Sequence, residues 1–417
     1  MSSTPHPLGR RPPAREAAYA ASARTPIQPA SETAVVPERG WLLPFDPLLT
    51  LATLGLAACS LITLNASTSG DVTGKPHYFV DRQAVYFAVG LAVMVVLARI
   101  DYSRLRELKF GIYGLLIASV VVVLGLGSAT NGAQRSISLP FFSFQASELG
   151  KVLLILALAA FVVDRSRRLS ERETTARIML LALIPALLVV IQPDLGSAMV
   201  YAVVALAILF VAGTSWRHFA ALITLGVVAL TLVLVAAPAV GVTVLKPYQV
   251  DRLTAFLNPT ENPRKQGYQQ IQSKIAIGSG QKTGRGQQAT QTRLNFLPEH
   301  RTDFIFAVVG EQYGFVGAAL VLSLYALLIW RCLRILTMAK NLYGALVAGG
   351  VVAMLMFQVF VNVGMTVGIM PITGITLPLL SYGGSSVLTT LLAVGLLQSI
   401  YAQARASAAV KNRVLRF

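Results

Sequence analysis

The sequence predicts an all-α integral membrane protein with about ten transmembrane helices and one large extracytoplasmic loop between the seventh and the eighth. Three observations carry this. The 417 residues are 55% hydrophobic and only 13% charged, with a mean hydropathy of +0.65, whereas soluble domains carry about a quarter charged residues. The apolar residues gather in about ten segments, each near the roughly 20 residues a helix needs to cross a bilayer. Lys and Arg concentrate in the short connections between those segments.

The chain opens on 1–45, rich in Pro, Ala, Ser and Arg. This stretch cannot bury a core and is predicted to be a disordered tail. No apolar core follows its early arginines, as a signal peptide would require, so the first span reads as an uncleaved signal-anchor. The spans follow at 46–66, 83–100, 110–127, 147–164, 178–192, 196–214, 218–238, 303–330, 342–366 and 383–403. Only "QPDLG" parts the fifth from the sixth, either as a tight hairpin or as a break within the membrane. The membrane domain thus covers 46–405, and a short basic tail, 406–417, closes the chain.

Arg104, Arg106 and Lys109, then Arg165 to Arg177, Arg217, Arg331 to Lys340 and the C-terminal Arg405 to Arg416 all fall on one side if the spans number ten. Positive charge in short loops marks the cytoplasmic side, which places both termini there. The net charge of +17 is thereby explained without nucleic acid, for which no aromatic–basic motif is present. Cys59 and Cys332 fit neither zinc spacing nor a disulfide framework.

The opposite side carries the long segment 239–302, also basic. Loops of this length are exempt from the positive-inside bias. Its charge suits an anionic substrate such as a lipid-linked phosphate, with general surface charge as the alternative. Its glycines at 278, 280, 284 and 286 either let backbone N–H groups approach an anion or mark turns. No P-loop is formed, because the lysine and hydroxyl after the last glycine are missing.

Several polar clusters fall at the outer ends of the spans. Arg135, Glu148 and Lys151 lie in "NGAQRSISLPFFSFQASELGK". Glu148 and Lys151, three apart, share one helical face. They read first as a structural ion pair, and second as a place where Lys151 or Arg135 meets a phosphate. Asp194 in "IQPDLGSA" is placed to cap the next helix. "NVGMTVGIMPITGITLPLLSYGGSS", 362–386, interrupts a membrane-depth run with Pro and Gly. Irregular backbone at that depth survives only when buried in protein or lining a cavity, so this stretch marks a candidate cavity, with Ser381 within it. In "LPEHRTDFIFAVVGEQYGF", 297–315, Asp303 stands where the polar loop gives way to the eighth span. Asp303 or Thr302 could cap that helix. Glu311, about two turns deeper at 1.5 Å per residue, reads as a structural or partner-coupling group.

In these motifs the chain resembles the SEDS proteins, the family of RodA and FtsW. The resemblance covers 46–405 and rests on "GAQR", "FQASELGK", "QPDLGSA", "YQVDRLTAFLNP", "GYQQIQSKIAIGSG", "TQTRLNFLPEHRTDFIFAVVGEQYGFVG" and "PITGITLPLLSYGGSS". "NVGM", "GYQQIQSKIAIGSG" and "TQTRLNFLPE" are similar to the RodA-like members. Arg301 stands where the family usually has His, Ala146 where it has Pro, and Ser136 where it has Trp.

The resemblance implies a GT-C-like SEDS fold in the inner (plasma) membrane, active on its extracytoplasmic face. It implies a peptidoglycan glycosyltransferase that polymerises lipid II during elongation, together with a class B penicillin-binding protein and the elongation machinery. It assigns the essential aspartate to Asp303. Inversion at an anomeric carbon needs one base and positive charge near the departing diphosphate. Asp303 is the candidate base. Arg135, Lys151, Arg252 and Lys274 are the candidate cations, and Glu148 and Ser381 join them as candidate substrate-binding residues. No motif requires a cofactor; a divalent cation is the alternative source of positive charge. A lipid II flippase, an FtsW-type division polymerase and a partner-organising scaffold are the competing functions.

Overall fold

The computed structural model describes residues 45–68, 75–130, 133–138, 142–169, 171–232, 256, 266–294 and 296–414, all within one compact unit, Pro44–Phe417. Its described helices are α1 (Pro47–Thr68), α2 (Tyr78–Arg99), α3 (Lys109–Leu126), α4 (Ala146–Asp164), α5 (Arg172–Ile191), α6 (Leu195–Val211), α7 (Trp216–Thr231), α8 (Gln266–Gly280), the one-turn α9 (Thr290–Arg293), α10 (Ile305–Met338), α11 (Leu342–Val367) and α12 (Gly384–Val414). A small antiparallel sheet, β1 (Ser128–Thr130), β2 (Ala133–Ser138) and β3 (Ser143–Phe144), joins α3 to α4.

Eight of these helices are long and apolar enough to cross a membrane, and α6 and the apolar part of α7 are shorter. Burial sorts them into two layers. The apolar window of α4 is 89% buried, that of α12 83% and that of α11 78%, whereas those of α3 and α10 are each 22% buried. A helix that is apolar on every side must be surrounded by protein or by lipid. α4, α11 and α12 therefore form the inside of the bundle, and the outer helices turn Leu, Val and Phe outward.

The helix ends follow local chemistry. Asp194 caps α6, its Oδ1 accepting from the Ser197 N–H at 3.0 Å, as its position predicts. α5 and α6 pack on each other, so "QPDLG" is a turn between two helices. Asn341 caps α11 in the same way, and Gly368, left-handed at φ 83°, ends it. Asp46, fully buried, caps α1 through Leu49 N–H, receives Arg331 Nε on both carboxylate oxygens at 3.1 Å and donates its own N–H to Gln398. Through its carboxylate and its backbone, Asp46 ties α1, α10 and α12 together at the end of the bundle remote from Asp303.

The long segment 239–302 is not all loop. Its described part contains the fifteen-residue α8, packed on α10 and α11. α10 is bent at Gly314 (φ 63°, ψ −157°). A Cβ there would sit 2.4 Å from Gly284 N, and one on Gly284 would sit 2.1 Å from the Gln312 carbonyl oxygen. Gly284 therefore serves close backbone approach to the bend, whereas Gly286, left-handed at φ 53° with open space around it, marks a turn.

Candidate active site at the end of the bundle bearing Asp303

Asp303 lies just before α10, in a turn that follows Leu297. Neither it nor Thr302 takes the capping position, which Phe304 occupies without a side-chain bond; Thr302 Oγ1 bonds Glu299 instead. What fixes the turn is its backbone. The Arg301 carbonyl accepts from Tyr382 N–H at 2.9 Å, the Thr302 carbonyl from Ser381 Oγ at 2.6 Å, and the Asp303 carbonyl from Asn362 Nδ2 at 2.9 Å. Three successive carbonyls are thus gripped by groups from α11 and from the irregular stretch between α11 and α12. From below, Phe304 and Leu297 pack with Ala276, Ala307 and Ile372.

The irregular stretch is itself bonded by side chains from several helices, as backbone at membrane depth requires. Asn362 Nδ2 also donates to the Ile375 carbonyl at 2.7 Å, Tyr325 OH to Pro378 at 2.5 Å, Ser60 Oγ to Leu380 at 2.8 Å and Gln83 Nε2 to Ser381 at 3.1 Å. Four helices thereby hold one loop, and the loop holds Asp303. Asn362 and Gln83, both fully buried, are not among the residues the sequence singles out. Their signal was an amide within, or at the edge of, an apolar span.

The predicted site residues fall as follows. Glu148 and Lys151 form a buried ion pair at 2.5 Å, 6% and 2% exposed, at the start of α4. That start is tied to α12: Ser385 Oγ accepts from Gln145 N–H at 3.0 Å and donates to the Ser143 carbonyl at 2.6 Å. Lys274 is exposed on α8, and its methylenes cover Gly368, where a Cβ would meet its Cε at 1.9 Å. Ser273 beside it donates to the Thr366 carbonyl, so α8 brings Lys274 to the end of α11. Ser381 is 1% exposed and commits its hydroxyl hydrogen to Thr302, while its oxygen accepts from Leu377 N–H; its visible work is to hold the Asp303 turn. Arg135 lies on β2, but its side chain is outside the described residues, as is the whole of Arg252. His300 is buried, with Nδ1 3.1 Å from the Leu297 carbonyl oxygen.

Glu311 is fully buried, and its carboxylate accepts from Gln291 N–H at 2.8 Å, Thr292 N–H at 3.0 Å and Thr292 Oγ1 at 2.5 Å. It anchors the one-turn α9 on α10, the structural one of its two sequence readings. Glu311→Ala would leave three donors without their acceptor. Such groups cost about 1–3 kcal/mol each when buried. A clear fall in the melting temperature of the purified protein is expected, with a smaller fall for Glu311→Gln.

The clamp makes its own prediction. Asn362→Ala and Ser381→Ala release carbonyls 303 and 302, respectively. Misplacement of a reacting group by about 1 Å can cost about 100-fold, so each variant should lose about ten- to a hundredfold in turnover with near-normal expression. Turnover of purified variants measured beside their yield checks this.

A bundle of apolar helices thus holds the Asp303 turn at one end through an irregular loop that four helices bond. Comparison with known proteins identifies the family. The family model described as the cell cycle protein family of FtsW, RodA and SpoVE matches residues 45–406. A probable peptidoglycan glycosyltransferase FtsW of Geobacter metallireducens is 37% identical over 363 residues, covering 85% of this chain and 94% of the relative. The peptidoglycan glycosyltransferase MrdB of Escherichia coli K12 is also 37% identical, over 359 residues, covering 85% and 93%. A chain from a peptidoglycan synthase complex that coordinates polymerization and crosslinking superposes with a TM-score of 0.73 at 32% identity, covering 87% of this chain and 99% of that one. The chain belongs to the FtsW/RodA/SpoVE family, the SEDS proteins. It is a multi-pass membrane protein with the glycosyltransferase role of that family.

Proposed function

We propose that the chain polymerises lipid II, a disaccharide on a polyprenyl diphosphate, into peptidoglycan strands at the extracytoplasmic face of the plasma membrane, with both termini cytoplasmic. The observation that carries this reading is the grip on carbonyls 301, 302 and 303. A base must be held in place before substrate arrives, and a polyprenyl substrate brings its reacting carbon to the level where its lipid tail ends and its sugars begin.

In the proposed step, Asp303 takes the proton of the acceptor sugar's 4-hydroxyl as that oxygen attacks the anomeric carbon of the growing strand. The bond from that carbon to the diphosphate breaks, and the electron pair leaves on the lipid diphosphate. One displacement turns an α-linked diphosphate into a β-linked glycan. Cations near the leaving group stabilise its charge; Lys151, Lys274, Arg135 and Arg252 are assigned to this, with Glu148 orienting Lys151 and Ser381 acting through the Asp303 turn. Among the described residues no group of three or more His, Cys, Asp or Glu is gathered to hold a metal ion. A divalent cation carried by the substrate's own diphosphate is compatible with the scheme.

The RodA-like stretches favour a role in elongation with a class B penicillin-binding protein as the crosslinking partner, and the similarity to a chain from a polymerization and crosslinking complex supports such pairing. The test is lipid II polymerisation by the purified chain, alone and with its candidate transpeptidase. Strands are expected in at least the paired reaction. A paired reaction that consumes no lipid II contradicts the assignment.

A further inference from the structure

A second polar surface lies at the same end of the bundle, around the start of α2. A cavity of about 340 Å³ is lined there by Lys75, Pro76, His77, Tyr78, Asp81 and Arg82. Arg82 lies over the Tyr78 ring, 4.8 Å from its centroid, and Arg301 over the Phe79 ring at 4.2 Å. Tyr78 and Phe79 meet edge to face at 5.1 Å, and Phe79 meets Tyr382 in the same way at 5.2 Å. Tyr382 donates its N–H to the Arg301 carbonyl, two residues before Asp303. A continuous row of rings, Tyr382, Phe79 and Tyr78, therefore leads from the Asp303 turn to the cavity, with Arg301 over the middle ring and Arg82 over the ring at the cavity end.

We propose that this shelf is a saccharide subsite, which takes sugar units bearing a negative charge as they extend away from Asp303. The inference rests on the polymerase reading for its substrate but not on Asp303 as the base. The chemistry is specific to such a ligand. Pyranose rings, like Tyr, have an apolar face and a polar rim, so they stack on aromatic surfaces while donating and accepting at their edges. In the cavity lining Lys75 and Arg82 outnumber Asp81, so this end of the shelf also favours an anion. Arginines stacked on rings lose little freedom when their N–H edges engage a ligand. A volume of about 340 Å³ lies within the usual range for small-ligand sites and leaves room for a saccharide unit. A polymer leaving the catalytic turn needs a bonded path outward, and this row begins at the backbone that holds Asp303.

The test measures binding of two soluble probes of equal length to the full chain in nanodiscs: a neutral N-acetylglucosamine tetrasaccharide, and a peptidoglycan tetrasaccharide with free muramyl carboxylates. Inorganic pyrophosphate serves as competitor. Tyr78→Ala should weaken the peptidoglycan probe about tenfold, Tyr78→Phe should restore it, and Lys75→Gln should weaken the charged probe more than the neutral one. Asp303→Asn should bind both probes as the unmodified chain does, even if polymerisation is lost. Unchanged binding in Tyr78→Ala with an unchanged melting temperature overturns the subsite. So does a surface that pyrophosphate occupies and neither saccharide does.

Discussion

Asp303→Asn is expected to lower lipid II polymerisation by about 10²- to 10⁴-fold, the range that a positioned general base contributes, while the protein expresses and melts as before. The side chain keeps its shape and loses only its basicity. The structure explains why the fold should tolerate the change. The turn is fixed through backbone carbonyls 301, 302 and 303, none of which the substitution touches, and Asp303 does not cap α10. Turnover of purified variant and parent at matched concentrations, with melting curves, checks both halves. A variant that fails to fold would place Asp303 among the structural carboxylates, beside Asp46 and Glu311.

Lys151→Ala is expected to destabilise the protein by about 3–5 kcal/mol, because removing one partner of a buried ion pair leaves the other charge uncompensated. Glu148 and Lys151 are 6% and 2% exposed and 2.5 Å apart. The double variant Glu148→Gln/Lys151→Met removes both charges and should recover most of that loss. Polymerisation separates the two roles of the pair. If Lys151 also meets the diphosphate, the double variant recovers stability but not turnover, which is the expected result. Recovery of both would reduce the pair to an anchor for the start of α4.

Much of the bundle was legible because hydropathy is local. Each apolar span coincides with a helix among the described residues, eight of them long enough to cross a membrane, while the end of the seventh, 233–238, lies outside the described residues; Asp194 as a cap and Glu148–Lys151 as a pair follow from spacings of three residues. α8 was hidden because "QGYQQIQSKIAIGSG" is polar and rich in glycine, and its helical form is supported by packing on α10 and α11. The grip on Asp303 was hidden for a different reason. Asn362 reaches across 59 residues and Ser381 across 79, and a single sequence carries no sign of such pairings. Glu311 illustrates both limits. Its burial could be guessed from the apolar run, but its partner Thr292, 19 residues upstream, could not. The sequence placed the candidate base at a seam; the folded chain supplies what holds it there.

The central claim is that this end of the bundle makes glycosidic bonds, as opposed to moving lipid across the membrane. The most direct measurement places the purified chain and its candidate transpeptidase in proteoliposomes with labelled lipid II and follows two products at once, polymerised strands and lipid transferred to the opposite leaflet. Strand synthesis by the parent, with none above background from Asp303→Asn, is the predicted result. Lipid transfer without strands, equal in parent and Asp303→Asn, would contradict it.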